Sequence, residues 1–175
     1  MSFTAEEKTP KPSRASRQIA WRLLLTVHAV ACRRIDRDLQ EAGCITFDDY
    51  DLLLTLNEAE GESLRMSELA EAVLLSNSGL SRRVVKLVER GLVQRKQCTR
   101  DGRVFHVHLS SKGRKALDQA WTIYENLIEQ SFASHMTRDE AHTISLIFQR
   151  ILDRTGLPSH QGLLLAKATD APKKH

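Results

Sequence analysis

The chain has 175 residues, 41% of them hydrophobic and 27% charged, enough for one domain with a core of its own and too few for several. Its apolar run from Trp21 to Val30 is broken by Arg22 and His28 and falls short of the ~20 residues a membrane span needs, so a soluble protein with no membrane partner is expected. The net charge of +4 is unevenly spread: residues 65–115 hold twelve basic against four acidic side chains, net +8, whereas 19–64 sum to −5 and 116–155 to −3.

A positive field confined to one stretch is what a polyanion would feel, and phosphate neutralisation supplies most sequence-independent affinity for DNA. The leader, residues 1–16, is polar and contains two prolines without an apolar centre, unlike a secretory signal, so a cytoplasmic protein is expected. Cys32, Cys44 and Cys98 are an odd number without a close pair, which speaks against a disulfide framework.

In chain order, Ile19, Leu23, Val27, Val30, Ile35 and Leu39 predict a long amphipathic helix from about Arg17 to Ala42, stopped by Gly43. Thr46 with Asp49 opens a second helix, with Tyr50, Leu53, Leu54 and Leu56 on its apolar side, ending near Gly61. A short third helix, Ser67 to about Leu74, carries Leu69, Ala70 and Val73. Ser76 and Asn77 cap a fourth that runs to Arg90, with Gly91 and Leu92 after it in the pattern of a left-handed terminator.

Two strand-like runs follow, Leu92 to Cys98 and Val104 to Leu109, joined by a loop whose Asp101-Gly102 pair signals a tight turn. Ser111 opens a fifth helix striped with Leu117, Trp121, Tyr124 and Ile128. Thr137 with Glu140 opens a sixth through Ile144, Ile147 and Ile151, ended by Gly156 and Pro158. The rest, 157–175, reads as a tail.

Helix, turn, helix and hairpin in that order make a winged helix-turn-helix, in which the second paired helix enters the major groove. At about 100° per residue, Leu80, Val84, Leu87 and Val88 share the core-facing side of the fourth helix, and Ser78, Arg82, Val85 and Lys86 lie opposite, with Ser81 on the flank. Short hydroxyls followed by cations suit a surface that reads bases and phosphates. An exposed Val85 fits a merely solvated face poorly. On the hairpin, Arg100 and Arg103 flank the turn, where a wing can lay an arginine into a narrow minor groove, and Asp101 stands where it can orient one of them.

Leu64-Arg-Met-Ser-Glu-Leu-Ala70, Ser76-Asn-Ser-Gly-Leu-Ser-Arg82, Leu87-Val-Glu-Arg-Gly-Leu-Val93, Asp101-Gly-Arg103 and Leu109-Ser-Ser-Lys-Gly113 resemble, in order and spacing, the core of the MarR (multiple antibiotic resistance regulator) family. The resemblance is specific over residues 46–115 and architectural beyond. It implies a mostly α fold with a small β-hairpin wing: a winged helix-turn-helix over 46–115 plus a helical dimerisation region formed by 17–45 and 116–156. It further implies a homodimer on a pseudo-palindromic double-stranded operator, repressing transcription until a small-molecule effector or an oxidant weakens binding.

By position, the resemblance puts Ser78, Ser81 and Arg82 at bases and phosphates, Arg103 at the minor-groove wing arginine and Asp101 at the wing aspartate. Gly102 departs from it, since many relatives carry a second arginine there. With Asn77 at the helix start, Lys86 from helix phase and Arg100 from the loop, the expected DNA-contacting set is Asn77, Ser78, Ser81, Arg82, Lys86, Arg100, Asp101 and Arg103. His28 with Cys32 and His106 with His108 are half-shells for a metal, and the three cysteines leave redox sensing as the alternative regulatory chemistry. No cofactor is expected. The absence of a Gly-rich phosphate loop, a nucleophile elbow and a His-x-x-x-His helix argues against an enzyme.

Overall fold

The computed structural model describes residues 12–98 and 101–155. Among the described residues six α-helices and three strands run in the order α1 (Arg14–Glu41), α2 (Phe47–Glu58), β1 (Ser63–Arg65), α3 (Met66–Ala72), α4 (Asn77–Glu89), β2 (Val93–Gln97), β3 (Phe105–Leu109), α5 (Ser111–Ser131) and α6 (Arg138–Thr155). The chain divides between Arg34 and Ile35 into two compact units. In the first, α1 leaves Ile19, Trp21, Leu23, Val27 and Val30 exposed.

The second unit holds the core. Ile35 and Leu39 meet Tyr50, Leu52, Leu53 and Leu56 of α2, Leu69 and Ala70 of α3, and Leu80, Val84 and Leu87 of α4, together with Leu92, Val93, Val107 and Leu109 of the sheet region and Leu117, Ala120 and Leu127 of α5. Full burial of one such leucine stabilises by about 1.5–3 kcal/mol. Tyr50 stands 4.9 Å, centroid to centroid, from Tyr124, which ties α2 to α5.

The capping signals act as expected. The Thr46 side chain accepts from the Asp49 N–H (3.2 Å), and Thr137 and Glu140 form a reciprocal box. α5 opens at Ser111 as expected, and the preceding Ser110 is its cap. Its hydroxyl accepts from the Gly113 N–H at 2.9 Å and donates to the Gly91 and Leu92 carbonyls at 2.7 and 2.9 Å. A Cβ on Gly113 would lie 2.1 Å from the Leu92 carbonyl oxygen, so backbone meets backbone there.

Several expectations need correction. The wing hairpin is part of a three-stranded antiparallel sheet in the order β1-β3-β2, because Ser63–Arg65, too short to show alternation, pairs with His106–His108. The first helix begins at Arg14 rather than Arg17, and the second ends at Glu58, short of Gly61. On α2, Leu52 is buried and Leu54 only half so; on α5, Ala120 and Leu127 are buried in place of Trp121, which is exposed. The sixth helix carries its expected apolar stripe, Ile147 and Ile151 being exposed and no residue of α6 buried. The helix-ending Gly156 and Pro158 and the tail 157–175 lie outside the described residues.

Three helices end in the same double hydrogen bond, in which two successive N–H groups close back on the last turn. After α1 and α4 the residue in left-handed backbone is Gly43 (φ 68°) or Gly91 (φ 72°). After α3 it is Leu74 (φ 53°), whose N–H reaches the Glu71 carbonyl while that of Leu75 reaches Ala70. A side chain in that conformation costs about 1–2 kcal/mol, and Leu74 recovers little by burial, being 71% exposed. Leu74→Gly is therefore expected to stabilise the fold by about 1 kcal/mol, and Gly113→Ala to destabilise it by about 1–3 kcal/mol through overpacking. Thermal unfolding of both variants beside the parent checks the opposite signs.

On the sheet, His106 and His108 share a face, ring centroids 6.4 Å apart. Burial holds the His108 imidazole below its ordinary pKa of 6.5, with Lys96 and His106 pushing the same way. The unfolded chain thus takes up a proton before the folded one does. The stability this contributes is present above the ordinary value and is lost as pH falls below it. Denaturant titrations at pH 7.5 and 5.5 are expected to show a smaller acid loss for His108→Gln than for the parent; equal losses would contradict this.

Candidate nucleic-acid interface

The fourth helix is held at both ends and along one side. Ser76 Oγ accepts from the Gly79 N–H at 3.1 Å, and Gly91 reverses the chain after Arg90. Leu80, Val84 and Leu87 are buried. Val88 is not, as had been expected from helix phase: it is 40% exposed, since at about 80° from Leu80 it lies at the rim of the apolar stripe.

Asn77, Ser78, Ser81, Arg82 and Lys86 are all exposed, as is Val85 at 50%. No acidic residue occupies the first turn of α4, so no carboxylate of that turn offsets the partial positive charge of its N-terminus. The structure therefore brings Ser78, Ser81, Arg82 and Lys86 onto one face of the helix, with Asn77 exposed at its start.

The cations on the flank of α4 behave differently. Arg83 Nη2 lies 2.7 Å from Asp48 Oδ2 and Arg83 Nη1 3.5 Å from Asp49 Oδ1, while Arg90 Nη1 lies 2.6 Å from Asp49 Oδ2. Asp49, 8% exposed, is buried at the start of α2 with two arginines around it. Buried carboxylates require such pairing. Sequence reasoning takes Asp49 only with Thr46 as the opening of α2 and Arg90 only as the end of α4, and passes over Asp48 and Arg83. The available signal was the seven-residue spacing of those arginines, which sets them on one face.

At the wing, Arg103 and Asp101 are exposed beside Gly102. Asp101 Oδ1 accepts from the backbone N–H of Arg103 at 3.0 Å, an Asx turn that shapes the tip. The Gln97 side chain adds a bond to the Gly102 carbonyl. Arg100 lies outside the described residues. Arg95, not anticipated, lies 3.9 Å above the Phe105 ring and covers the apolar root of the hairpin.

For the sensing chemistries, His28 Nε2 lies 3.5 Å from Cys32 Sγ, and each histidine-containing pair remains a pair: among the described residues no group of three His, Cys, Asp or Glu side chains is placed to hold a metal. Cys32, Cys44 and Cys98 are each half-buried. A cavity of about 270 Å³ is lined in part by Cys44, Arg90, Lys112 and Gln119, and Lys112 Nζ donates to the Arg90 carbonyl there at 2.8 Å. No described helix is long and apolar enough to cross a membrane.

Comparison with known proteins agrees with this geometry. Residues 45–104 match the family model described as MarR family. The transcriptional repressor MprA of Escherichia coli is 26% identical over 113 residues, 65% of this chain; the matched stretch spans 64% of that relative's length. Among solved structures, AbsC of Streptomyces coelicolor, a MarR family transcriptional regulator, superposes with a TM-score of 0.74 at 26% identity, covering 84% of this chain and 98% of AbsC. Sco3205 of the same organism, a MarR family regulator in complex with DNA, gives a TM-score of 0.75 at 27% identity over 87% of this chain and 95% of its own. The chain is thus similar to MarR family regulators in the sequence of its winged helix, over residues 45–104, and in the fold of most of its length.

Proposed function

We propose that the chain is a sequence-specific, double-stranded-DNA-binding transcriptional regulator that acts as a homodimer on a pseudo-palindromic operator, represses transcription and is released by a small-molecule effector. The observation that carries the reading is the exposed surface of α4, where Ser78, Ser81, Arg82 and Lys86 stand outward, with Asn77 exposed at the helix start, while Leu80, Val84 and Leu87 anchor the helix to the core. The net charge of +8 over residues 65–115 and the DNA-bound state of Sco3205 support it. The duplex contacts are assigned to those five residues and to Arg100, Asp101 and Arg103 of the wing.

Dimerisation is assigned to residues 17–45 and 116–156. Ile19, Trp21, Leu23, Val27 and Val30 of α1 and Leu146, Ile147, Phe148 and Ile151 of α6 are exposed apolar side chains, more than a lone chain ordinarily leaves to water and the composition of an obligate interface. Two-fold symmetry would set two α4 helices about 34 Å apart, one turn of duplex. Effector control is assigned to the cavity beside Arg90, since a ligand there that favours one placement of α4 over another shifts DNA affinity by that difference.

Arg82→Ala is expected to weaken operator binding by about 1–3 kcal/mol and to relax base preference at one position of each half-site. Arg103→Ala is expected to lose most on A·T-flanked sites. Equilibrium binding to duplexes selected by the parent protein checks both. Equal affinity of both variants and the parent would remove these assignments, and affinity independent of salt would remove the DNA reading itself.

A further inference from the structure

Around α4 the side chains at about 200° to 300° from Leu80 are, in angular order, Arg82, Lys86, Arg90 and Arg83, a continuous cationic flank. Only part of it is available to a polyanion. Arg83 and Arg90 are turned to Asp48 and Asp49 of α2 at 2.6–3.5 Å, whereas Arg82 and Lys86 are exposed with no ion pair among the described residues.

The two halves of the flank differ in what a phosphate would have to displace. Asp48 presents a 69% exposed carboxylate to the Arg83 guanidinium, so this pair is formed at the surface, where ion pairs are weak and exchangeable. Asp49 is buried and gives Arg90 its closer contact.

Resting on the DNA-binding reading above, we infer that Asp48, backed by Asp49, is an intramolecular stand-in for phosphate that withholds Arg83 from the DNA backbone and so sets the ratio of sequence-specific to non-specific affinity. Arg82 and Lys86 contact the duplex whatever its sequence allows. Arg83 stays with Asp48, which keeps one sequence-blind phosphate contact per protomer out of the complex. Asp48 and Arg83 are thus specificity-determining residues that touch no base.

The test is equilibrium binding of the full-length chain to a random-sequence duplex and to a duplex selected by the parent, over a range of salt. Asp48→Asn replaces an exposed side chain with its isostere, and an unchanged unfolding temperature verifies the fold. It is expected to bind the random duplex several-fold more tightly than the parent at low salt. Its plot of log affinity against log salt should steepen by about 0.9 for each phosphate gained. On the selected duplex the gain is smaller, so the specificity ratio falls.

Deleting one negative charge raises affinity for DNA by simple electrostatics, and the double variant Asp48→Asn with Arg83→Gln separates that from release of Arg83. The inference expects the double variant to lose the gain on the random duplex. A gain that persists without Arg83, or an Asp48→Asn protein that binds like the parent, overturns the inference while leaving the DNA reading intact. A parent that binds neither duplex overturns both.

Discussion

The interface depends on the burial of Leu80, Val84 and Leu87, each at most 1% exposed, which leaves α4 one rotational setting in the core. Truncating a leucine in such a site costs about 2–5 kcal/mol, so turning the helix by even one residue would be prohibitive for a small domain. The opposite side, from Ser78 through Arg82 to Lys86, faces outward as a consequence. Which face of α4 is exposed is thus set indirectly, through what the helix must bury.

The remaining features keep that setting rigid. Ser76 closes the N-terminus of α4, Gly91 turns the chain sharply into β2, and the Ser110 hydroxyl with the side-chain-free Gly113 brings α5 onto the same turn. The carboxylates of α2 add a polar tether on the flank through Arg83 and Arg90. β3, paired on both sides in the sheet, carries the hairpin whose tip is shaped by the Asp101 turn. An effector in the cavity beside Arg90 would act on the one end of α4 where the terminator, the tether and the α5 contact meet.

What could be read in advance followed from period and punctuation. The 3.6-residue stripe of α4, the caps at Thr46, Ser76 and Thr137, and the Asp101-Gly102 turn each state a local physical rule, and each element appeared within a few residues of its expected place. What escaped depended on partners distant in sequence. β1 is three residues long and exists only because β3 pairs with it. Val88 sits at the edge of its stripe, where neighbours decide burial. Asp49 is buried because two arginines more than thirty residues away surround it. Leu74 occupies a left-handed position that its side chain opposes, so local preference pointed the wrong way there and the α3–α4 turn imposed the conformation. Of the candidate site, the exposure of the helical residues was legible because one face of a helix is a local property. The backbone bond of Asp101 to Arg103 escaped the sequence, since an aspartate in a tight turn serves its own backbone as readily as a neighbouring side chain.

The most direct measurement is a structure of the chain bound to a duplex recovered by selection with the protein. The account predicts α4 in the major groove with Ser78, Ser81 or Arg82 within hydrogen-bond distance of base edges or phosphates, and Leu80, Val84 and Leu87 still in the core. A complex in which that face of α4 points to solvent, or is covered by protein while the duplex lies elsewhere, would contradict it.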